Sequence, residues 1–236
     1  MSRMAGAALD HLVIAAQTLG EGVTWCQRVF GMTPAEGGRH ALFGTHNRLL
    51  RLHGANFPDA YLEIIAIEPN VRPTRQAPLA RWFDLDDPGL RRRLQFQGPQ
   101  IIHWVARVPD LAQACQAWSV LGIDRGSIID ASRQTPEGLL RWKISIRDDG
   151  QRLFGGALPT LIEWQGEHPC KKLPARGPQL NRLELSHPDR KALTAALAAV
   201  GLDSAVGVSV NDDPAGLHAQ LSTVARNDIH LWHPKS

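Results

Sequence analysis

The chain has few cysteines and no long apolar run. Its three cysteines, Cys26, Cys115 and Cys170, are far apart and odd in number, which argues against a disulfide framework and against a metal knuckle built on paired cysteines. No apolar stretch approaches the roughly 18 residues that span a bilayer, and the N-terminus lacks the pattern of a secretion signal. We therefore expect a cytoplasmic protein that has no membrane partner.

A strong excess of one charge sign is also lacking. The 26 basic and 23 acidic residues leave a net charge of +3, which is too weak to indicate a nucleic-acid partner. The densest basic run, residues 91–93, lies among apolar residues in a helix-like stretch and is interpreted as a solvated helix face. What the chain does have is apolar character, since 43% of its 236 residues are hydrophobic, enough for a sizeable core.

The first 68 residues predict one strand, one helix and three further strands. The apolar, β-branched run 8–15 predicts a buried strand, and apolar positions at helical spacing predict a helix over 19–30 that ends at Gly31. A turn is predicted at Gly37 and Gly38. The strands after it are predicted over 40–45, 48–52 and 60–67. Together these elements make a first βαβββ module, residues 1–68.

The same order of elements returns in residues 100–167. A strand is predicted over 100–108 and a helix over 110–121. The three strands that follow are predicted over 127–129, 139–146 and 160–165. An insertion, placed in the loops 130–138 and 148–156, accounts for the greater length of this second βαβββ module. The pattern predicts an internal repeat.

Residues 69–99 and the C-terminal part complete the organisation. Residues 69–99 place Leu79, Trp82 and Leu90 at buriable spacing, so we expect a structured crossover there. Residues 168–236 repeat the order once more as a degenerate module, which begins with a second crossover. Its strands are predicted over 180–186, 206–210, 217–224 and 228–232, with a helix over 189–200. Because about sixty residues bury little core alone, we expect this module to pack on the other two.

Four polar residues lie inside predicted buried strands at matching places: His11 and Glu63 in the first module, His103 and Glu163 in the second. A buried carboxylate without a partner is costly, so each glutamate needs a cation, a proton or a hydrogen-bond network. One divalent metal held by two imidazoles and two carboxylates would satisfy all four. This donor set suits Zn, Ni, Co, Mn or Fe without selecting among them. Hydrogen bonds between the buried side chains are the alternative.

Strand alternation also assigns neighbouring residues to faces. Tyr61 is expected on the face of the fourth-strand glutamate, where it would line a substrate pocket. Asp10 and Trp164 are expected on the opposite face. Arg141 and Lys143 share one strand face. If that face is concave, they would bind an anionic substrate, and otherwise they are solvated.

Five segments together resemble the glyoxalase-like domain of the vicinal oxygen chelate superfamily. They are LDHLVI at 9–14, FGTHN at 43–47, YLEII at 61–65, GPQIIHWV at 98–105 and LIEW at 161–164. Each motif is short, but their order and spacing over about residues 7–166 are fairly specific. The resemblance implies an α+β fold in which paired βαβββ modules form an open, mixed-sheet barrel. It also places His11, Glu63, His103 and Glu163 on the metal-holding positions of that fold.

Two classes of enzyme and one class of binding protein fit these residues. The resemblance favours a metal-dependent isomerase or lyase that acts on a small oxygen-bearing metabolite through an enediolate-like intermediate, with Glu63 or Glu163 moving the proton. A non-haem Fe(II) dioxygenase is the second enzyme class, because His11, His103 and Glu163 alone would form a two-histidine, one-carboxylate face. A protein that only binds or sequesters a small molecule is the third alternative. The sequence leaves the substrate, the metal and a homodimer open.

Overall fold

The computed structural model describes residues 6–75, 78–135, 138–202 and 208–233, and its first module is a strand, a helix and three strands. The elements are β1 (Ala8–Ala15), α1 (Leu19–Phe30), β2 (Ala35–His40), β3 (Thr45–Arg51) and β4 (Tyr61–Ile67). Local chemistry sets the bounds of α1. The Thr18 hydroxyl accepts a hydrogen bond from the Glu21 N–H, and Gly31 ends the helix in the left-handed conformation at φ 69°.

The second module repeats this order after a structured connection. The connection contains a short 3-10 helix, Trp82–Asp84, and helix α2 (Pro88–Gln97). The module then consists of β5 (Gln100–Arg107), α3 (Leu111–Val120), β6 (Ser127–Thr135), β7 (Gly138–Ile146) and β8 (Thr160–Gln165). Phe83 and Asp84 have φ values of 59° and 58°. Positive φ at two consecutive non-glycine residues marks a strained point in the connection.

The two modules share one eight-stranded sheet, in the order β2-β3-β4-β1-β5-β8-β7-β6. In each module the first strand is parallel to the last, β1 to β4 and β5 to β8, whereas β1 and β5 run antiparallel and join the modules. The edge strands β2 and β6 contact each other, so the sheet curls into a nearly closed barrel. The α+β fold of paired βαβββ modules is therefore confirmed.

The curled sheet is apolar on both faces. On the outer face, Leu12 and Ile64 are fully buried in a core that includes residues of α1 and α3. On the inner face, Val13 and Ile65 pack with Trp82, which comes from the connection between the modules. The connection therefore fills part of the barrel interior. No helix in the described part of the chain is long and apolar enough to cross a membrane.

A second sheet packs on the outer face of the barrel. The C-terminal module that forms this sheet consists of β9 (Gln179–Ser186), α4 (Arg190–Ala199), β10 (Val208–Asn211), β11 (Gly216–Ser222) and β12 (Ile229–Trp232). The strand order is β10-β9-β11-β12. Leu183 and Leu197 belong to the same buried cluster as Trp118 of α3. The Trp118 indole N–H donates to the Ala196 carbonyl oxygen at 2.7 Å. The strand predicted from Val206 begins outside the described residues.

Two predictions about strands and turns are wrong. Gly37 and Gly38 lie inside β2, and the chain turns at 41–44 instead, within the stretch 40–45 that was predicted as a strand. A Cβ at Gly37 would overlap Asn47 on β3, so this glycine allows a close approach of strands and does not make a turn. The loop predicted over 130–138 is largely strand, because β6 and β7 extend as a hairpin in which Ala131 pairs with Trp142 and both join the inner core.

Candidate functional site

Asp10 and His11 are adjacent on β1, and both side chains join one polar network. One Asp10 carboxylate oxygen accepts hydrogen bonds from Trp164 Nε1 at 2.7 Å and from His168 Nε2 at 2.9 Å, and the other lies 2.6 Å from His11 Nδ1. The pairing of β1 with β5 shifts register between Leu9 and His11, and a bulge of this kind re-aims a side chain. The expectation that Asp10 faces away from His11 is therefore wrong.

His11 stands between the Asp10 carboxylate and Glu63. Its Nε2 atom lies 3.5 Å from Glu63 Oε2, and the side chains of His11 and Glu63 are each only 6% exposed. The His11 ring stacks on Tyr61 with ring centroids 4.7 Å apart. Asn47 Nδ2 donates to Glu63 Oε1 at 2.6 Å and so fixes that carboxylate. Asp10, His11 and Glu63 thus form one buried row of ionisable groups.

Burial and hydrogen bonding act in opposite directions on the pKa values in this row. Burial alone would lower the pKa of His11, but the bond to Asp10 and the nearby negative charge of Glu63 raise it to about 9. Burial would raise the pKa of Asp10, yet the bonds from His11 and His168 hold it well below its usual value. Burial is likewise outweighed at Glu63, where the interaction with His11 and the hydrogen bond from Asn47 lower the pKa to about 2. At neutral pH, His11 is therefore an imidazolium between two carboxylates.

A small cavity opens beside His11 and Glu63. Its volume is about 30 Å³, which is space for about one or two water molecules. Aromatic side chains supply much of its wall: Tyr61, Trp82, Phe83, Trp142 and Trp164. Arg133 lines this cavity and also a wider outer pocket of about 440 Å³. Apolar walls keep the local dielectric constant low, which strengthens every charge interaction inside.

His103 does not join this row. Its fully buried ring has Nδ1 3.1 Å from the Gly156 carbonyl oxygen, and its Nε2 accepts a hydrogen bond from the Thr160 N–H at 3.1 Å. Because one ring nitrogen donates and the other accepts, the imidazole is neutral. Burial and the nearby charges of Arg125 and Arg152 lower the pKa of His103 well below its usual value. His103 thus ties β5 to the segment that leads into β8.

Glu163 lies on the outer face of the sheet, so the prediction that it shares a site with the first-module residues is wrong. Its Oε2 accepts a hydrogen bond at 2.8 Å from the N–H of Leu111, the first residue of α3, and its Oε1 lies 3.6 Å from Lys143 Nζ. A carboxylate at a helix N-terminus stabilises the helix. Its neighbour Trp164 faces inward instead. The strand register places Thr160, three residues before Glu163, at the position that matches Glu63, and an odd shift along a strand exchanges its faces.

Arg141 and Lys143 also face outward. Trp142 and Ile144 of the same strand belong to the inner core, and alternation puts their neighbours on the opposite face. Lys143 pairs there with Glu163, and Arg141 is exposed. The prediction that these two residues bind an anionic substrate required them to face the concave side of the sheet, and they do not.

The residues present do not fit the divalent metal that the resemblance implies. His11 and Glu63 face each other, but His103 and Glu163 use their donor atoms elsewhere. In the described ranges, no group of three or more His, Cys, Asp or Glu side chains is arranged to hold a metal ion. We therefore assign no chemical step to a metal ion.

Sequence reasoning missed three residues of this site. Asp10 gave a signal, because two adjacent polar residues interrupt an otherwise apolar strand. His168 precedes Pro169 after β8 and reaches Asp10 from the second crossover, a contact that no local pattern predicts. Arg133 lies in a stretch that was predicted as a loop, where its face could not be assigned.

Comparisons with known proteins agree with this fold. The model of the glyoxalase-like domain matches residues 9–201. A hypothetical protein from Staphylococcus aureus aligns over 96% of this chain and 85% of its own, at 13% identity and a TM-score of 0.57, which shows the fold alone. A methylmalonyl-CoA epimerase from Mycobacterium tuberculosis aligns over 71% of this chain and 91% of its own, at 19% identity and a TM-score of 0.38. That score is too low to support a functional argument. No curated protein matches the chain in sequence.

Proposed function

Because the chain belongs to the glyoxalase-like domain family, we propose that it is an isomerase or lyase that moves a proton on a small oxygen-bearing molecule. Glu63 is the base, and the His11 imidazolium is the acid that polarises the substrate oxygen. One observation carries the proposal: the buried carboxylate of Glu63 and the buried imidazole ring of His11 lie 3.5 Å apart and both line one cavity.

The spacing of this pair leaves both groups available to a substrate. A hydrogen bond between N⁺–H and O⁻ is usually about 2.7–2.9 Å long, so 3.5 Å between His11 Nε2 and Glu63 Oε2 is too long for a strong bond. The other polar atom of each side chain is fixed by a short contact, since Asp10 lies 2.6 Å from His11 Nδ1 and Asn47 donates to Glu63 Oε1 at 2.6 Å. A donor and an acceptor therefore keep a fixed orientation towards the same space.

In the proposed reaction, Glu63 takes a proton from the carbon next to a substrate carbonyl. The electrons of the broken C–H bond move towards the carbonyl oxygen, which gives an enediolate-like intermediate. The His11 Nε2–H group donates a hydrogen bond to that oxygen and stabilises the negative charge that develops on it. Glu63 then returns the proton to the neighbouring carbon, which completes an isomerisation. Loss of a leaving group from the same intermediate would make the reaction that of a lyase.

Asp10 and the aromatic walls support this chemistry without touching the reacting atoms. Asp10 holds the proton on His11 Nδ1, so that His11 stays charged while its Nε2 proton bonds to the substrate. The walls exclude water, which would otherwise weaken the hydrogen bond to the oxyanion. The dioxygenase alternative loses its support, because His103 and Glu163 bond to other parts of the protein.

Non-catalytic binding remains the second candidate function. The size of the cavity favours it, since about 30 Å³ is far below the volume of an ordinary ligand pocket. A protein that sequesters a ligand needs complementary shape but no base. The two candidate functions therefore predict different results for Glu63→Gln, which removes the basic group but keeps the size of the side chain.

Exchange of carbon-bound protons with solvent deuterium tests the proposal. A panel of small 2-oxo and 2-hydroxy compounds is incubated with the protein in D₂O, and loss of the C–H signals is followed by NMR. In Glu63→Gln, we expect exchange to slow by about 10²- to 10⁴-fold, because the general base is removed. Repeating the assay after chelator treatment measures any contribution of a bound metal.

Glu68→Gln is the matched control. Glu68 is also buried and directly follows β4, but it pairs with Arg39 at 2.9 Å and does not line the cavity. Its variant should exchange protons at the wild-type rate. Equal exchange in wild type and Glu63→Gln would refute the assignment of the base. Binding of a panel compound without any exchange in the wild type would favour the sequestering function.

A further inference from the structure

We infer that the substrate carries a carboxylate, which Arg133 binds at the mouth of the cavity; this inference rests on the proposed function. Arg133 lies on β6 and lines both the small cavity and the outer pocket. No other described residue lines both spaces. A molecule that reaches Glu63 from the outer pocket therefore passes the guanidinium.

No carboxylate of the described residues neutralises Arg133. The other charged side chains of the outer pocket are paired, Glu36 with Arg48 at 3.0 Å and Lys172 with Glu167 at 3.7 Å. Within the described ranges, Arg133 forms no such ion pair. Its Nη1 atom lies 3.4 Å from the side-chain oxygen of Asn47, which is a long contact to a neutral acceptor. The positive charge therefore remains available to an anion.

The position of the guanidinium is set by the strands around it. Arg133 pairs with Leu140 on β7, and its side chain reaches the facing edge strand β2 at Gly38. A Cβ at Gly38 would lie 2.6 Å from Arg133 Nη1, so the glycine makes room for the guanidinium. A half-buried, positioned guanidinium binds a carboxylate well, because its fork of N–H donors matches the two carboxylate oxygens.

The two spaces accept different parts of a substrate. The cavity, about 30 Å³, accepts a carbonyl and its neighbouring carbon, whereas the outer pocket, about 440 Å³, accepts a larger group. Leu139, Leu140 and Leu173 give the outer pocket apolar wall. Arg133 lines both spaces, so it is placed to bind a carboxylate that is bonded to the carbonyl carbon. The substrate class is therefore a short 2-oxo carboxylic acid with an apolar substituent.

Binding of three matched probes tests this inference. 4-Methyl-2-oxopentanoate, its uncharged amide and isobutyl phosphate are titrated into the full-length protein by calorimetry. The acid should bind about tenfold or more tightly than the amide, because the amide lacks a charge-assisted bond to Arg133. In Arg133→Gln, acid affinity should fall to the level of the amide. Arg51→Gln, which removes a half-buried arginine paired with Asp59 outside both spaces, should keep the wild-type ratio.

Several outcomes would overturn the inference. These are equal affinities for acid and amide, an unchanged acid affinity in Arg133→Gln, absence of binding by all three probes, and tighter binding of the phosphate monoester. Arg133→Lys keeps the charge but loses the fork, so it should recover part of the affinity, and thermal melting verifies that both variants are folded. The proposed function fails separately, if Glu63→Gln exchanges protons at the wild-type rate. The ratio of acid to amide affinity still decides the role of Arg133 in that case.

Discussion

The Asp10 carboxylate holds His11 in its charged form, and Asp10→Asn tests how much the fold depends on that charge. Asp10 is fully buried and has three side-chain partners, His11, His168 and Trp164. In Asp10→Asn, the amide oxygen can still accept from the last two, but the NH₂ group then faces His11 Nδ1. Two donors cannot bond to each other, so His11 must lose its Nδ1 proton and become neutral.

The expected loss of stability follows from the pKa of His11. The fold raises that pKa from 6.5 to about 9, and at 1.36 kcal/mol for each unit this corresponds to about 3 kcal/mol. Breaking a buried ion pair costs about 3–5 kcal/mol in other proteins, which agrees. For a chain of this length, about 3 kcal/mol lowers the melting temperature by roughly 6–12 °C.

The loss depends on pH in a defined direction. Since the folded-state pKa of His11 lies above its unfolded value, its charge stabilises the fold fully below pH 6.5, and this contribution disappears as the pH rises through about 9. In urea unfolding, the difference in unfolding free energy between wild type and Asp10→Asn should therefore be large at pH 6 and small at pH 10. Asp148→Asn, which removes a carboxylate that is 72% exposed and pairs with Arg75, should cost less than about 1 kcal/mol. A difference in unfolding free energy that does not change with pH would refute the charged state of His11.

Three further substitutions test the other parts of the site and the packing around it. Thr160→Val removes the hydroxyl that lies 3.0 Å from His103 Nε2 and also contacts Arg125. The free energy of unfolding in urea should fall by about 1–3 kcal/mol. An unchanged value would mean that this network does not stabilise the fold. Glu163→Gln should leave proton exchange by NMR unchanged, because the side chain lies outside the cavity, and a large fall would restore it as a candidate base. Trp118→Phe breaks the bond to α4 and should cost about 1 kcal/mol in thermal melting, whereas an unchanged melting temperature would show that the bond contributes nothing.

The order of elements was predictable because its signals are local. Helix α1 has the predicted bounds, since Thr18 and Gly31 act through bonds within a few residues. Strand β4 is an apolar run that ends before Pro69, and such runs need no tertiary information to recognise. The duplicated order then identified the fold, because a repeated βαβββ unit leaves few ways to bury its sheets.

The turn between β2 and β3 could not be predicted from the same kind of signal. A pair of glycines is typical of a turn, and it also allows two strands to approach closely. At Gly37, the close approach of Asn47 decides the conformation, and Asn47 becomes a neighbour only after β3 has paired with β2. The long β6–β7 hairpin was missed for a related reason: Asp130, Ser132 and Gln134 give it the polar composition of a loop.

The candidate site was half predictable. His11 and Glu63 were found because a buried polar residue must have a partner, and strand alternation then placed both on the inner face. Asp10 was assigned to the wrong face, because the bulge in β1 forms only against β5. Glu163 was assigned to the wrong face because the register of β8 against β5 is set by tertiary pairing, and a shift by an odd number of residues reverses every face assignment on the strand.

The two modules have the same order of elements but use their buried polar residues differently. In the second module, His103 bonds to the backbone at Gly156 and Thr160, and Glu163 bonds to the first turn of α3. Releasing either side chain would leave buried or helix-terminal backbone groups without a partner, at about 1–3 kcal/mol each. His11 and Glu63 have no such backbone bonds in the described structure, so substrate contact at their facing atoms breaks no element of the fold. The proposed chemistry therefore depends on His11 and Glu63 of the first module, whereas the second module contributes Arg133 and part of the cavity wall.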